Sequence, residues 1–177
     1  MAKVKVATAW LCSCAGCHMS FLDLDEVVID LAGVLEFHAS PITDIKDFTP
    51  VDVGIVEGSV LNSHDEEVIK DMRANCKILM VLGDCACFGG ITGMSNMFDT
   101  EELLSRCYST ESTTAGSKYP RSEDLPVIGE ARPVNHVVKV DCYVPGCPPS
   151  AKAIHYALGE LLAGRIPVLP SDMMRFD

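Results

Sequence analysis

Long apolar runs are missing from this sequence. No stretch approaches the roughly 18 to 20 residues that a membrane-spanning helix needs, so no membrane partner is expected. The opening MAKVKVATAWL has a basic tip, but its apolar run is short and leads straight into cysteines. It does not read as an export leader, and a twin-arginine address is also missing. The expectation is a cytoplasmic protein. Cations are scarce as well. Lys and Arg number 14 against 25 Asp and Glu, a net charge of −11. Nucleic acids and anionic membrane surfaces are held by clustered Lys and Arg, so neither is expected as a partner. Internal repeats and low-complexity tracts are absent. The 177 residues, 48% hydrophobic and 22% charged, are ordinary for a soluble protein and fit one domain over 1–177 with a substantial core.

Cysteine is what the sequence does have. There are nine, an odd number that cannot pair completely within the chain. In a reducing compartment, clustered cysteines are more often metal ligands or catalytic thiols than disulfides.

Short apolar runs alternate with helical patterns. Lys3–Trp10 reads as a strand, and residues 18–36 carry Phe21, Leu24, Val28, Leu31 and Leu35 at helical spacing. Residues 52–56 read as a second strand. Ser63 is a candidate helix cap with Glu66 suited to a capping box, and that helix runs to about Asn75. Lys77–Leu82 reads as a strand buried on both faces, and Val137–Val140 as a fourth. Ser150 caps a last helix that Gly164 stops. Residues 107–135 read as a long loop and 165–177 as an extended tail. Strands separated by helices predict parallel βαβ units, hence an α/β, three-layer flavodoxin-like domain.

The cysteines fall where such a fold gathers ligands. Cys14 and Cys17 follow the first strand, Cys85 follows Lys77–Leu82, and Cys147 follows Val137–Val140. Loops after strand carboxyl ends lie along one edge of an open parallel sheet, where ligands bind. Gly16 is expected to permit a tight turn in CSCAGC. Gly83, Gly89 and Gly90 around Cys85 are expected to permit close backbone approach. Pro148 is expected to keep Cys147 extended. The helix after Ser150 would favour an anionic centre nearby. Four thiolates can hold zinc or an iron–sulfur cluster. Only one pair here is compact, which suits a larger inorganic core better than a single ion, although zinc and redox thiols remain open.

The segments WLCSCAGCHMS (10–20), VEGSV (56–60), GDCACFGGI (83–91) and YVPGCPPS (143–150) resemble the small subunit of nickel–iron hydrogenases. The resemblance spans essentially the whole chain. It implies that Cys14, Cys17, Cys85 and Cys147 hold a proximal 4Fe–4S cluster that takes electrons from a nickel–iron centre in a separate large subunit. It also implies a place for Glu57 close to the cluster and the subunit interface. Many such subunits continue into a domain with two more clusters, which the resemblance to a short subunit does not lead one to expect here. The length and the segment CHMSFLDLDE resemble the short small subunit of cytoplasmic NAD-reducing hydrogenases. In those a diaphorase module, with FMN and further iron–sulfur clusters, reduces NAD. No turnover is then expected from this chain alone. A related subunit of respiratory NADH:quinone reductase has adjacent first cysteines, whereas Ala15 and Gly16 intervene here. A flavin in this chain is a further option of a flavodoxin-like fold, although its first loop lacks phosphate-loop chemistry.

Other residues carry weaker signals. Cys12 and Cys87 read either as substitute ligands or oxidation-sensitive thiols or as packing thiols, and it is the family pattern, not spacing, that selects Cys85 over Cys87. Cys76, Cys107 and Cys142 read as structural thiols. His18 reads either as a hydrogen-bond donor or proton path near the cluster or as a surface or interface histidine. Trp10 and Phe88 read as core or interface packing. Glu57 reads as a proton relay or interface contact, or else as a helix cap or solvated acid.

Overall fold

The computed structural model describes residues 3–110, 113–120 and 122–174. Its frame is a parallel five-stranded sheet. The elements run β1 (Val4–Trp10), α1 (Gly16–Leu22), α2 (Val27–Val34), β2 (Leu35–Ala39), β3 (Val51–Glu57), β4 (Val60–Asn62), α3 (Ser63–Asn75), β5 (Cys76–Leu82), α4 (Asp84–Phe88), α5 (Thr100–Ser105), β6 (Ile128–Arg132), β7 (Cys142–Val144) and α6 (Ala151–Leu162). The main sheet is ordered β2-β1-β3-β5-β7, and β4 pairs antiparallel with β6 in a two-stranded sheet. Numbering only the main-sheet strands gives 2-1-3-4-5, the flavodoxin-like order, whose switch point lies between β1 and β3.

Alternation of side chains explains the layers. Val53, Ile55, Met80 and Leu82 face a core completed by Leu31 of α2 and by Ile154, Ala157 and Leu158 of α6. Their neighbours Val56, Leu79 and Val81 face a second core with Ile69 and Met72 of α3 and with Val134. Period-two alternation on a sheet covered on both faces demands this near-continuous apolar sequence. Each fully buried Ile or Leu contributes about 1.5–3 kcal/mol. Ser150 caps α6, its hydroxyl accepting the Ala153 N–H at 3.3 Å, and Gly164 follows with φ 74°.

The structure corrects several boundaries. The helical pattern over residues 18–36 is two short helices and the start of a strand. Asp25, with φ 52°, breaks the helix between Leu22 and Val27, and Leu35 opens β2 beside Val4 of β1. The cap of α3 lies one residue earlier than expected. Asn62 accepts the Asp65 N–H at 2.9 Å, and Asp65 takes the Asn62 N–H in return. Residues 137–140 are not a strand. Val137, Val138 and Val140 pack as irregular chain against the second core, and β7 comes after them. Within the expected loop 107–135, residues 106–110 form a π-helical turn and Ile128–Arg132 form β6. Residues 111, 112 and 121 of that loop, and 175–177 of the expected tail, lie outside the described residues. The described part of the tail, 165–174, has no helix or strand, and it buries Leu169 in the first core. No described helix is long and apolar enough to cross a membrane.

Candidate metal centre

Three loops leave the carboxyl ends of β1, β5 and β7 side by side. Strand pairing sets this up, since Trp10 lies opposite Glu57, Glu57 opposite Leu82, and Leu82 opposite Val144. Cys14 and Cys17 sit in the first loop and the start of α1. Cys85 sits in α4, and Cys147 directly precedes a cis Pro148. Cys14 and Cys147 are exposed, while Cys17 and Cys85 are half-buried.

Gly83 is the closest meeting point. A Cβ added to it would lie 2.3 Å from Cys17 Sγ and 3.5 Å from the Gly146 carbonyl oxygen. The start of the second loop thus touches both the first and the third. Its φ of 87° is also closed to ordinary side chains. In the first loop the left-handed residue is Ala15, φ 62°, and not Gly16 as expected. What Gly16 supplies is room, since a Cβ there would come 3.1 Å from Cys14 Sγ.

Glu57, at the end of β3, is completely buried, which overturns the reading of a solvated acid. It accepts the His18 N–H at 3.1 Å and the Ser13 hydroxyl at 3.2 Å, so both ends of the first cysteine loop hang from one carboxylate. Burial alone would raise its pKa. The His18 ring, the Cys17 thiol and the His18 amide together bring it below the ordinary carboxylate value. The same contact works in reverse on Cys17. Burial pushes that thiol well up, and the charge of Glu57 adds to it. A bound metal would have to displace the proton, because the thiolate is the ligand.

His18 is buried, so the surface reading fails. Its ring packs edge-on against Trp10 with centroids 5.6 Å apart. Nδ1 faces Glu57 Oε1 at 3.4 Å, and Nε2 forms no hydrogen bond among the described residues. A buried Nε2 without a partner in this chain is open to a group outside it. Trp10 and Phe88 are exposed beside the loops, which excludes core packing.

The remaining cysteines divide. Cys76, Cys87 and Cys142 are buried in the cores. Burial pushes Cys142 up to about 12, and it does the same to Cys87 with Asp84 adding to it. Cys12 bridges to Ser59 by paired backbone bonds of 3.0 Å. Its thiol is raised by burial first, then by Asp65 and Cys85. Cys107 is exposed in the π-helical turn, contrary to the packing expectation.

The candidate donors are four thiols on three loops, and the lack of a Cβ at Gly83 lets Cys17 Sγ lie against the start of the second loop. Among the described residues, no three Cys, His, Asp or Glu side chains are gathered for a single metal ion. Asp84 is a contributor that motif spacing did not single out. It is buried, and its Oδ1 accepts the Gly146 N–H at 2.7 Å. The signal for it was the acid inside GDC, next to a candidate ligand.

Residues 14–161 match the family NADH ubiquinone oxidoreductase, 20 Kd subunit. The chain is 39% identical over 180 residues to the NAD-reducing hydrogenase HoxS subunit delta of Cupriavidus necator, covering 99% of this chain and 86% of that one. It is 41% identical over 174 residues to a subunit of the vhu F420-non-reducing hydrogenase of Methanocaldococcus jannaschii, and there it spans 97% of itself but 60% of the relative. A chain in the crystal structure of an NAD+-reducing [NiFe]-hydrogenase superposes with a TM-score of 0.95 at 39% identity, covering 99% of both. The chain therefore belongs to the NADH ubiquinone oxidoreductase 20 Kd subunit family and, within it, to the small subunits of nickel–iron hydrogenases.

Proposed function

We propose that this chain holds one 4Fe–4S cluster on Cys14, Cys17, Cys85 and Cys147 and serves as the electron-transfer subunit of a nickel–iron hydrogenase. The observation that carries the reading is the meeting of the three cysteine loops at Gly83, where a side chain would collide with Cys17 Sγ. Bound there, the cluster would supply a one-electron carrier. The chain's own residues position it and set its surroundings. Glu57 fixes the first loop through Ser13 and the His18 amide. The half-buried positions of Cys17 and Cys85 limit water access, which tunes potential. His18 offers a ring nitrogen to the site. Residues 1–177 act as one cluster-binding domain.

The partner is a large subunit carrying the nickel–iron centre. Trp10, Met19, Phe88, Ile91, Met94 and Met97 are exposed on and around the cysteine loops, an apolar surface of the kind a permanent partner covers. Electrons then pass to a diaphorase module with FMN and further clusters, which reduces NAD in the cytoplasm. This step rests on the likeness to the NAD-reducing relatives. A second reading keeps the cluster but changes the acceptor, and the F420-non-reducing relatives favour it. The chains that co-purify decide between the two.

The test is the anaerobically purified complex with Cys17→Ser. The reading expects loss of the cluster signal together with hydrogen-dependent NAD reduction. Reduction that survives while the signal is lost would defeat it. A single zinc per chain without labile sulfide would instead support a zinc-stabilised binding domain.

A further inference from the structure

The pairing of β5 with β7 continues past both strands. Leu82 lies opposite Val144, and the Gly83 N–H donates to the Val144 carbonyl at 2.8 Å. In a parallel ladder the next bond would run from the Gly146 N–H to the Gly83 carbonyl. That bond does not form, and the Gly83 carbonyl instead turns into α4, where it accepts the Cys87 N–H at 3.0 Å. The Gly146 amide is left without its ladder partner in a buried place, where an unmet donor is costly. Asp84 replaces the lost acceptor. Its Oδ1 accepts the Gly146 N–H at 2.7 Å, while its own N–H donates to the Gly146 carbonyl at 3.0 Å. Two reciprocal bonds thus join residue 84 to residue 146, and no cation pairs with Asp84 among the described residues. Each bonded residue immediately precedes a cysteine, Cys85 on one side and Cys147 on the other.

We propose that Asp84 is a positioning residue that holds Cys85 and Cys147 at a fixed separation through the Gly146 amide, so that half of the cluster cradle exists before iron arrives. This rests on the reading that the two cysteines share one cluster. Gly146 itself could not be replaced without disturbing the clamp. Its φ is 133°, and a Cβ there would come 2.7 Å from Pro149 Cα.

The experiment uses the full chain, purified anaerobically and reconstituted with iron and sulfide, as wild type, Asp84→Ala and Asp84→Asn. Asparagine keeps the acceptor oxygen and removes the charge. The expected result has three parts. Asp84→Ala retains the far-ultraviolet circular dichroism of the cluster-free wild type yet binds less than half as much iron. Asp84→Asn binds as much iron as wild type with the same paramagnetic resonance line shape. The midpoint potential of Asp84→Asn lies above that of wild type, because a nearby negative charge is gone. If Asp84→Ala does not fold, Asp84→Asn decides, and its loss of iron overturns the proposal. Full iron in a folded Asp84→Ala overturns it as well. A wild-type chain that binds no iron brings down the reading of the whole site, whereas full iron in all three proteins brings down only the role of Asp84.

Discussion

Strand β7 is three residues long, and an aspartate closes it at each end, but the two ends are built differently. At the start of the strand, Asp141 Oδ2 accepts the Leu79 N–H at 2.9 Å and pairs with Arg73 Nη1 at 2.6 Å. This acid is partly exposed, has a cation beside it, and lies at the end of the strand away from the four candidate ligands. At the far end Asp84 is buried, lacks a paired cation among the described residues, and adjoins two candidate ligands. Both carboxylates replace ladder acceptors, Asp141 one that the chain before β7 does not supply to Leu79, and Asp84 the Gly83 carbonyl that has turned into α4. Only the second lies where its bond also sets the spacing of cysteines. The contrast separates a device that stabilises the sheet from one that shapes a site.

The largest expected effect lies at the site end. Gly83→Ala places a Cβ 2.3 Å from Cys17 Sγ at a backbone φ of 87°. Iron bound per folded chain should fall severalfold, as read by metal analysis, and unchanged iron would show that the loops do not meet as described. At the other end the effect is on stability. Asp141→Ala strands the buried Leu79 amide, which costs about 1–3 kcal/mol, and removes the carboxylate partner of Arg73, which keeps its backbone carbonyl acceptors on Cys76 and Lys77. The urea midpoint should drop while iron per folded chain stays at the wild-type level. A loss of iron there would erase the distinction between the two ends.

Acid titration sharpens the same contrast. Burial would raise the Asp141 carboxyl, but the Leu79 amide and Arg73 hold it below its ordinary value. A depressed folded pKa contributes stability that is complete above the unfolded value of about 3.9 and is lost as pH falls through the folded one. The melting-temperature gap between wild type and Asp141→Asn should therefore hold from pH 7 to 5 and narrow below about 4. A gap independent of pH would remove the charge from the explanation. The smallest effect belongs to Glu66, whose carboxyl Lys70 and Arg132 pull down to about 2. It is a surface group joining α3 to β6. Such pairs are screened and contribute little, so Glu66→Gln should leave the melting temperature unchanged at about 0.5 M salt.

The sheet was legible where its strands are long and buried on both faces. β1, β3 and β5 announce themselves as apolar runs, and their ends place Cys14, Cys17 and Cys85 beside one another. β7 was not legible. Val137–Val140 looks more strand-like than Cys142–Val144, yet its valines are spent on the second core as irregular chain. Cys147 was still assigned to the right edge, because the displaced strand ends before it. β2 was hidden because Leu35 completes a helical repeat and also starts a strand. The buried roles of Glu57 and Asp84 depend on what sits across the sheet edge, which spacing along the chain does not encode. The glycine at residue 83 was legible as a close approach, but its collision partner, Cys17, was not.

The most direct measurement of the central claim is the iron, zinc and acid-labile sulfide content of the anaerobically purified full-length chain, compared with Cys147→Ser. The account predicts about four irons and four sulfides per chain, with a clear loss in the variant. One zinc without sulfide, or an iron content unchanged by removal of Cys147, would contradict it.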